Sequence, residues 1–161
     1  MTRFLIFILI GFTSCTTTHY YVVRHAEKEY VNSDMMSTDV PLTKVGRERA
    51  EALKTTLENK KIQRIFSTNY IRTISTAKPL SDAIGVQIEY YNPRDSLFIG
   101  QLINLKQNVL VVGHSNTIDD LVNGLTGTNH LQDLPETQYG DLFVIKKKGS
   151  KIKFQHKKFG D

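Results

Sequence analysis

The sequence predicts a single α/β domain: a central, mostly parallel sheet flanked by helices, with a β-hairpin at its C-terminal end. Three observations lead there. Short apolar runs of strand length alternate with longer segments of helical period. Two of those runs deliver a histidine at the end, in Val22-Val23-Arg24-His25 and Val111-Val112-Gly113-His114. The last run is separated from the one before it by the turn Lys148-Gly149-Ser150.

In chain order, the strand segments are residues 20–24, 64–67, 86–90, 109–113, 142–146 and 151–155. Between the first two, residues 43–57 carry Val45, Ala50, Leu53 and Leu57 at helix-like spacing, with Thr43 as N-cap. Residues 71–84 form a second helix, which Pro79 should bend or split. Asp95 or Ser96 opens a third, running to about Lys106. Ser115 or Asn116 caps a fourth that continues to about Leu125 and is stopped by Gly127. No internal repeat, low-complexity linker or second domain interrupts this alternation.

The chain has 161 residues, 40% of them hydrophobic and 23% charged, which suits one soluble globular unit with a real core. Its single cysteine, Cys15, excludes an internal disulfide. Ahead of that cysteine stand Arg3, an apolar stretch from Phe4 to Phe12, and the small residues Thr13 and Ser14. A positive residue, an apolar core too short to span a bilayer, and small residues before a cleavage point are the parts of a secretory signal. The stop at cysteine resembles a bacterial lipoprotein signal, with Phe12 where that motif prefers leucine. The expected organisation is therefore residues 1–15 as signal and lipidation site, and residues 16–161 as the domain, exported and held to a membrane through Cys15. The competing reading makes the apolar stretch a first strand or buried helix of the domain.

The net charge of +5 is concentrated at the C-terminal end, where seven lysines from Lys146 to Lys158 face one acid, Asp161. Lysines alternating with Ile152 and Phe154 have the period of a strand, so they read as the solvated, pairing-resistant side of the hairpin. No interleaving of arginine and aromatic residues points to nucleic acid.

Three strand ends supply arginine and histidine: Arg24-His25, Arg72 just beyond Phe66-Ser67-Thr68, and His114. Converging in a crevice at the carboxyl edge of an α/β sheet, they would make a phosphoryl site. Arginine offers a planar, permanently charged fork to phosphate oxygens. A neutral imidazole is a nucleophile at ordinary pH and a good leaving group afterwards. Arg24 and Arg72 form the expected clamp, His25 the nucleophile, and His114 a donor to the phosphoryl oxygens.

The ordered set Arg24-His25, residues 43–46 after Asp39-Val40-Pro41-Leu42, Thr68 to Arg72-Thr73 with Thr76-Ala77, and Gly113-His114-Ser115 resembles the histidine phosphatase superfamily. The resemblance is to the branch that includes cofactor-dependent phosphoglycerate mutases and small phosphohistidine phosphatases, and it runs from about residue 20 to 120. It implies a phosphoglycerate mutase-like fold, transient phosphorylation of His25, a pocket of Arg24, Arg72 and His114, and neither metal nor cofactor. Ala26 stands where family members often have glycine. A family-like acid should follow the third strand, and the similar segment here is Pro93-Arg94-Asp95, which makes Asp95 the expected proton donor, with a helix-capping role as its competitor and Glu27 as the substitute.

The implied activity is hydrolysis of phosphomonoesters, on a small phosphorylated substrate or a phosphoprotein. The alternatives are a mutase-like phosphotransferase, a phosphate-binding module without catalysis, and a metal-dependent hydrolase. His19, His130 and His156 have no partner at metal-ligand spacing. Asn32 could reach the pocket from the first loop. Leaving-group selection is assigned to residues 27–36, 91–98 and 126–139.

Overall fold

The computed structural model describes residues 16–30 and 39–160. Cys15 and the rest of the signal segment, with Asn32, Met35 and Met36, lie outside the described residues. Six strands and four helices alternate: β1 (Thr17–Arg24), α1 (Lys44–Leu57), β2 (Arg64–Ser67), α2 (Ile71–Ile84), β3 (Ile88–Tyr90), α3 (Phe98–Leu105), β4 (Val109–Gly113), α4 (Ile118–Thr126), β5 (Asp141–Lys148) and β6 (Lys151–Lys158). They form one mixed sheet in the order β3-β2-β4-β1-β5-β6. The β1–β4, β2–β4 and β2–β3 pairings are parallel, and β5 and β6 add antiparallel to the β1 edge. This is the expected α/β class with its terminal hairpin.

Alternation along the central strands divides the core into two layers. Tyr20, Val22, Val109, Val111, Phe143 and Ile145 face one side and pack with Phe98 and Leu102 of α3 and with Ile118, Leu121 and Leu125 of α4. Tyr21, Val23, Leu110, Val112, Leu142 and Val144 face the other and pack with Leu53 and Leu57 of α1 and with Ala77 and Leu80 of α2. The central parts of β1 and β4 are buried on both faces, which is why residues 20–23 and 109–112 are unbroken apolar runs.

Several local expectations change. Thr43 does cap α1, its Oγ1 accepting from Gly46 N at 3.0 Å. Pro79 does not split α2: Thr76, Ala77 and Leu80 on either side of it are buried and hold one helix across the missing N–H. Helix α3 begins at Phe98, after a turn in which Asp95 Oδ1 accepts from Leu97 N at 2.9 Å. Helix α4 begins at Ile118, so neither Ser115 nor Asn116 caps it, and Gly127 at φ 72° ends it. The hairpin strands extend beyond their sequence-predicted bounds, to Lys148 and Lys158, because every lysine there stays exposed or half-exposed while the backbone pairs.

Candidate active site

The carboxyl ends of β1, β2 and β4 meet at one edge of the sheet, and the segments leaving them enclose a cavity of about 830 Å³. Its walls include His25, Lys28, Thr68, Tyr70, Arg72, Tyr91, Arg94, His114, Ser115 and Glu136. Three chain segments far apart in sequence thus bring His25, Arg72 and His114 together, as the strand-end pattern predicts.

His25 is held at both ends of its residue. Its N–H donates to Gly113 O at 2.9 Å, and the next N–H, of Ala26, donates to Thr76 Oγ1 at 2.9 Å. The ring Nδ1–H donates to Ala26 O at 2.7 Å, which leaves Nε2 as the unprotonated nitrogen. Burial, reinforced by the charge of Arg24 and by His114 and Arg72, holds its pKa down at about 3. The imidazole is therefore neutral at any ordinary pH.

His114 sits 5.6 Å from His25 between ring centroids and 5.1 Å from the edge-on ring of Tyr70. Its Nε2 lies 2.8 Å from Thr68 Oγ1, itself tied to Thr73 Oγ1 at 3.0 Å, so β2 and α2 fix the ring orientation. Burial first, then Arg72, Arg24 and Lys28, lower its pKa to about 4.

Arg72 packs over the Tyr70 ring at 4.4 Å and is steadied by Asp39 at 3.6 Å. The same Asp39 carboxylate accepts from Ile71 N at 2.8 and 2.9 Å, closing the first turn of α2. Arg72 Nε–H is buried and has no hydrogen-bond partner.

Arg24 departs from the expected clamp, because its fork is already engaged and it does not line the cavity. Nη1 donates to the carbonyl oxygens of Pro135, Glu136 and Gln138 at 2.9, 3.1 and 3.0 Å, and Nη2 to Glu136 Oε2 at 2.8 Å. Its Nε–H, like that of Arg72, is buried without a partner. The guanidinium lies 4.4 Å over the ring of Tyr139.

Asp95 is likewise not brought to the site. It is exposed, its carboxylate serves the turn before α3, and the neighbour that reaches the cavity wall is Arg94. Glu27 also stands apart, with both oxygens on Arg49 Nε at 2.9 and 3.0 Å. Lys28 and Glu136 reach the cavity from two of the segments assigned to leaving-group selection, 27–36 and 126–139, though neither residue was singled out within them. Sequence reasoning missed Thr68 as a ring-orienting group and the role of Asp39, although both stood within the segments that carry the family resemblance.

Gly113 matters for the space that its missing side chain leaves. A Cβ there would lie 2.8 Å from Tyr91 Oη and 3.0 Å from Ile118 Cγ2, so the strand end needs glycine to let the cavity wall approach. Among the described residues, no cluster of three or more His, Cys, Asp or Glu could hold a metal ion.

Residues 20–93 match the model of the histidine phosphatase superfamily (branch 1), a span that includes Arg24, His25 and Arg72. No curated protein sequence matches the chain. Among solved structures, the mycobacterial glucosyl-3-phosphoglycerate phosphatase Rv2419c superposes with a TM-score of 0.67 at 14% identity, over 89% of this chain and 99% of that one. YhfR of Bacillus stearothermophilus gives 0.64 at 21% identity, over 89% and 97%. A candidate phosphohistidine phosphatase, SixA of Agrobacterium tumefaciens, gives 0.60 at 18% identity, over 86% and 97%. At these identities the likeness is one of fold.

Proposed function

We propose that this chain, which belongs to the histidine phosphatase superfamily, hydrolyses phosphomonoesters through a phosphohistidine on His25. The observation that carries the proposal is the buried Nε–H of Arg72, left without a partner on the wall of a cavity that also holds the two neutral histidines. Buried charged donors are costly unless an acceptor meets them, and a phosphoryl dianion has the oxygens and the charge to do so.

His25 Nε2 attacks phosphorus in line and the P–O bond to the leaving group breaks. Arg72, with Arg24 beneath, neutralises the charge on the nonbridging oxygens. The dianion also favours the protonated form of His114, turning it into a donor to the same oxygens. Water then attacks phosphorus, and the N–P bond electrons return to Nε2. The Nδ1–H bond to Ala26 keeps the ring in one tautomer through both steps.

Brief mixing with ³²P-labelled phosphomonoester should leave acid-labile label on the wild-type protein and none on His25→Ala, which should also lose turnover. Binding without label or turnover would favour a binding module, and passage of label to an added alcohol substrate a mutase. Unchanged activity in chelator is expected for chemistry that needs no metal.

We also propose that the chain is exported and anchored through Cys15, on the strength of residues 1–15 alone. Labelling by palmitate in bacteria, lost in Cys15→Ala, is the expected result.

A further inference from the structure

The phosphohistidine route requires a proton for the leaving alkoxide and a base for the attacking water. Four carboxylates stand near the strand ends. Asp95 is spent on a turn, Glu27 on Arg49, and Asp39 on Arg72 and the first turn of α2. Glu136 is the one carboxylate among the described residues that lines the cavity with His25.

Its position is fixed by its surroundings. Oε1 accepts from Ser115 Oγ, next to His114, and Oε2 from Arg24 Nη2, next to His25. The segment that bears it is fastened to the site by the Arg24 bonds and by Leu134 N to Ser115 O at 2.9 Å. The side chain is 65% exposed, so it exchanges protons with water.

Resting on the phosphohistidine reading above, we propose that Glu136 is the general acid and then the general base of the reaction, in the place that the sequence assigned to Asp95. When the phosphoryl dianion enters the cavity that Glu136 lines, it adds like charge beside the carboxylate, which then takes a proton from solvent. As His25 Nε2 forms the N–P bond and the P–O bond breaks, the electron pair goes to the leaving oxygen, which takes the Glu136 proton. In the second step water gives its proton to the Glu136 carboxylate as its oxygen bonds to phosphorus and Nε2 leaves. The net change is ester plus water to alcohol plus phosphate.

The groups facing the carboxylate are Arg24, Lys28, His25 and Ser115, with Tyr139 alongside; without substrate, the Ser115 hydrogen bond first and then the cations hold it below the usual carboxylate range. Substrate entry is therefore what arms it.

Glu136→Gln keeps an acceptor oxygen for Arg24 and Ser115 and removes the proton chemistry. For an alkyl phosphate, kcat/KM should fall about 100-fold or more, the usual worth of a positioned acid. For p-nitrophenyl phosphate, whose leaving group needs no proton, formation of the phosphoenzyme should change by less than about 5-fold, followed by slow water attack seen as a one-equivalent burst of nitrophenolate. Equal losses for both leaving groups without a burst would make Glu136 a positioning residue and overturn the assignment. Faster turnover with stronger inhibition by inorganic phosphate would make it a competing anion and overturn it as well. Absence of acid-labile label on wild-type protein defeats the phosphohistidine reading itself, independently of any Glu136 variant.

Discussion

The imidazoles of His25 and His114 meet edge-on, 5.6 Å apart between centroids, and each is held neutral by burial and by the arginines around it. Their proximity disfavours charging either one. The protein thereby keeps two unprotonated imidazoles in a pocket whose lining carries more cationic than anionic side chains.

Such a pair couples stability to pH in a defined direction. Both groups have ordinary values of 6.5 and folded values of about 3 and about 4, so between pH 6.5 and pH 4 the unfolded chain binds more protons than the folded one. Stability then rises with pH across that window, is complete above it, and is lost as acid charges the unfolded state. At pH 5 the effect is roughly 2 kcal/mol for His25, and somewhat less for the more open His114. Urea unfolding at pH 7 and pH 5 should show this drop, and His25→Asn should cut it to roughly half, the part owed to His114, whatever that substitution does to absolute stability.

The two arginines should separate on substitution. Arg72 touches the cavity and has one long ion pair, so Arg72→Lys should leave unfolding nearly unchanged while kcat/KM falls about 100-fold, because a lysine cannot restore the Nε donor or the fork. Arg24 fastens four groups of residues 135–138, so Arg24→Lys should lose activity and also about 2 kcal/mol or more of stability through the buried carbonyls it abandons. Paired kinetics and urea titrations distinguish the two.

Gly113→Ala should damage the site from within the sheet. The added methyl meets Tyr91 Oη at 2.8 Å, and Tyr91 cannot swing away because its ring is buried and stacked on Phe98 at 4.3 Å. Overpacking of this kind costs about 1–3 kcal/mol, a fall of several degrees in Tm for a chain of this size. A thermal scan showing no loss would mean that the cavity wall is softer than its packing indicates.

The parts of the site legible in the sequence are those carried by the sheet. Tyr20 to His25 and Val109 to His114 could be read because a strand buried on both faces is an apolar run, and the residue at its carboxyl end is then placed by topology. Arg72 was legible as the arginine just beyond Phe66-Ser67-Thr68, and it stands in the first turn of the helix that leaves β2. Asp95 and Glu136 were not, because both stand on segments whose course depends on partners distant in sequence: Asp95 turns outward with the start of α3, and Glu136 is drawn inward by Arg24 and Ser115. The misjudged start of α4 has the same origin, since Ser115 is committed to Glu136 rather than to a helix end.

Glu27 tests the difference between adjacency in sequence and presence at the site. It lies two residues from His25, yet its carboxylate is held by Arg49, which also donates to Phe159 O at 2.9 Å and so ties the loop after β1, α1 and the C-terminal end together. Replacing one partner of a well-shielded ion pair leaves the other uncompensated, so Glu27→Gln should lower stability by about 1–3 kcal/mol. Because that carboxylate is not on the cavity wall, the ratio of kcat/KM between p-nitrophenyl and alkyl phosphates should match the wild type under conditions where both proteins are fully folded. A steepened leaving-group dependence in Glu27→Gln, together with an unchanged one in Glu136→Gln, would transfer the proton chemistry to Glu27.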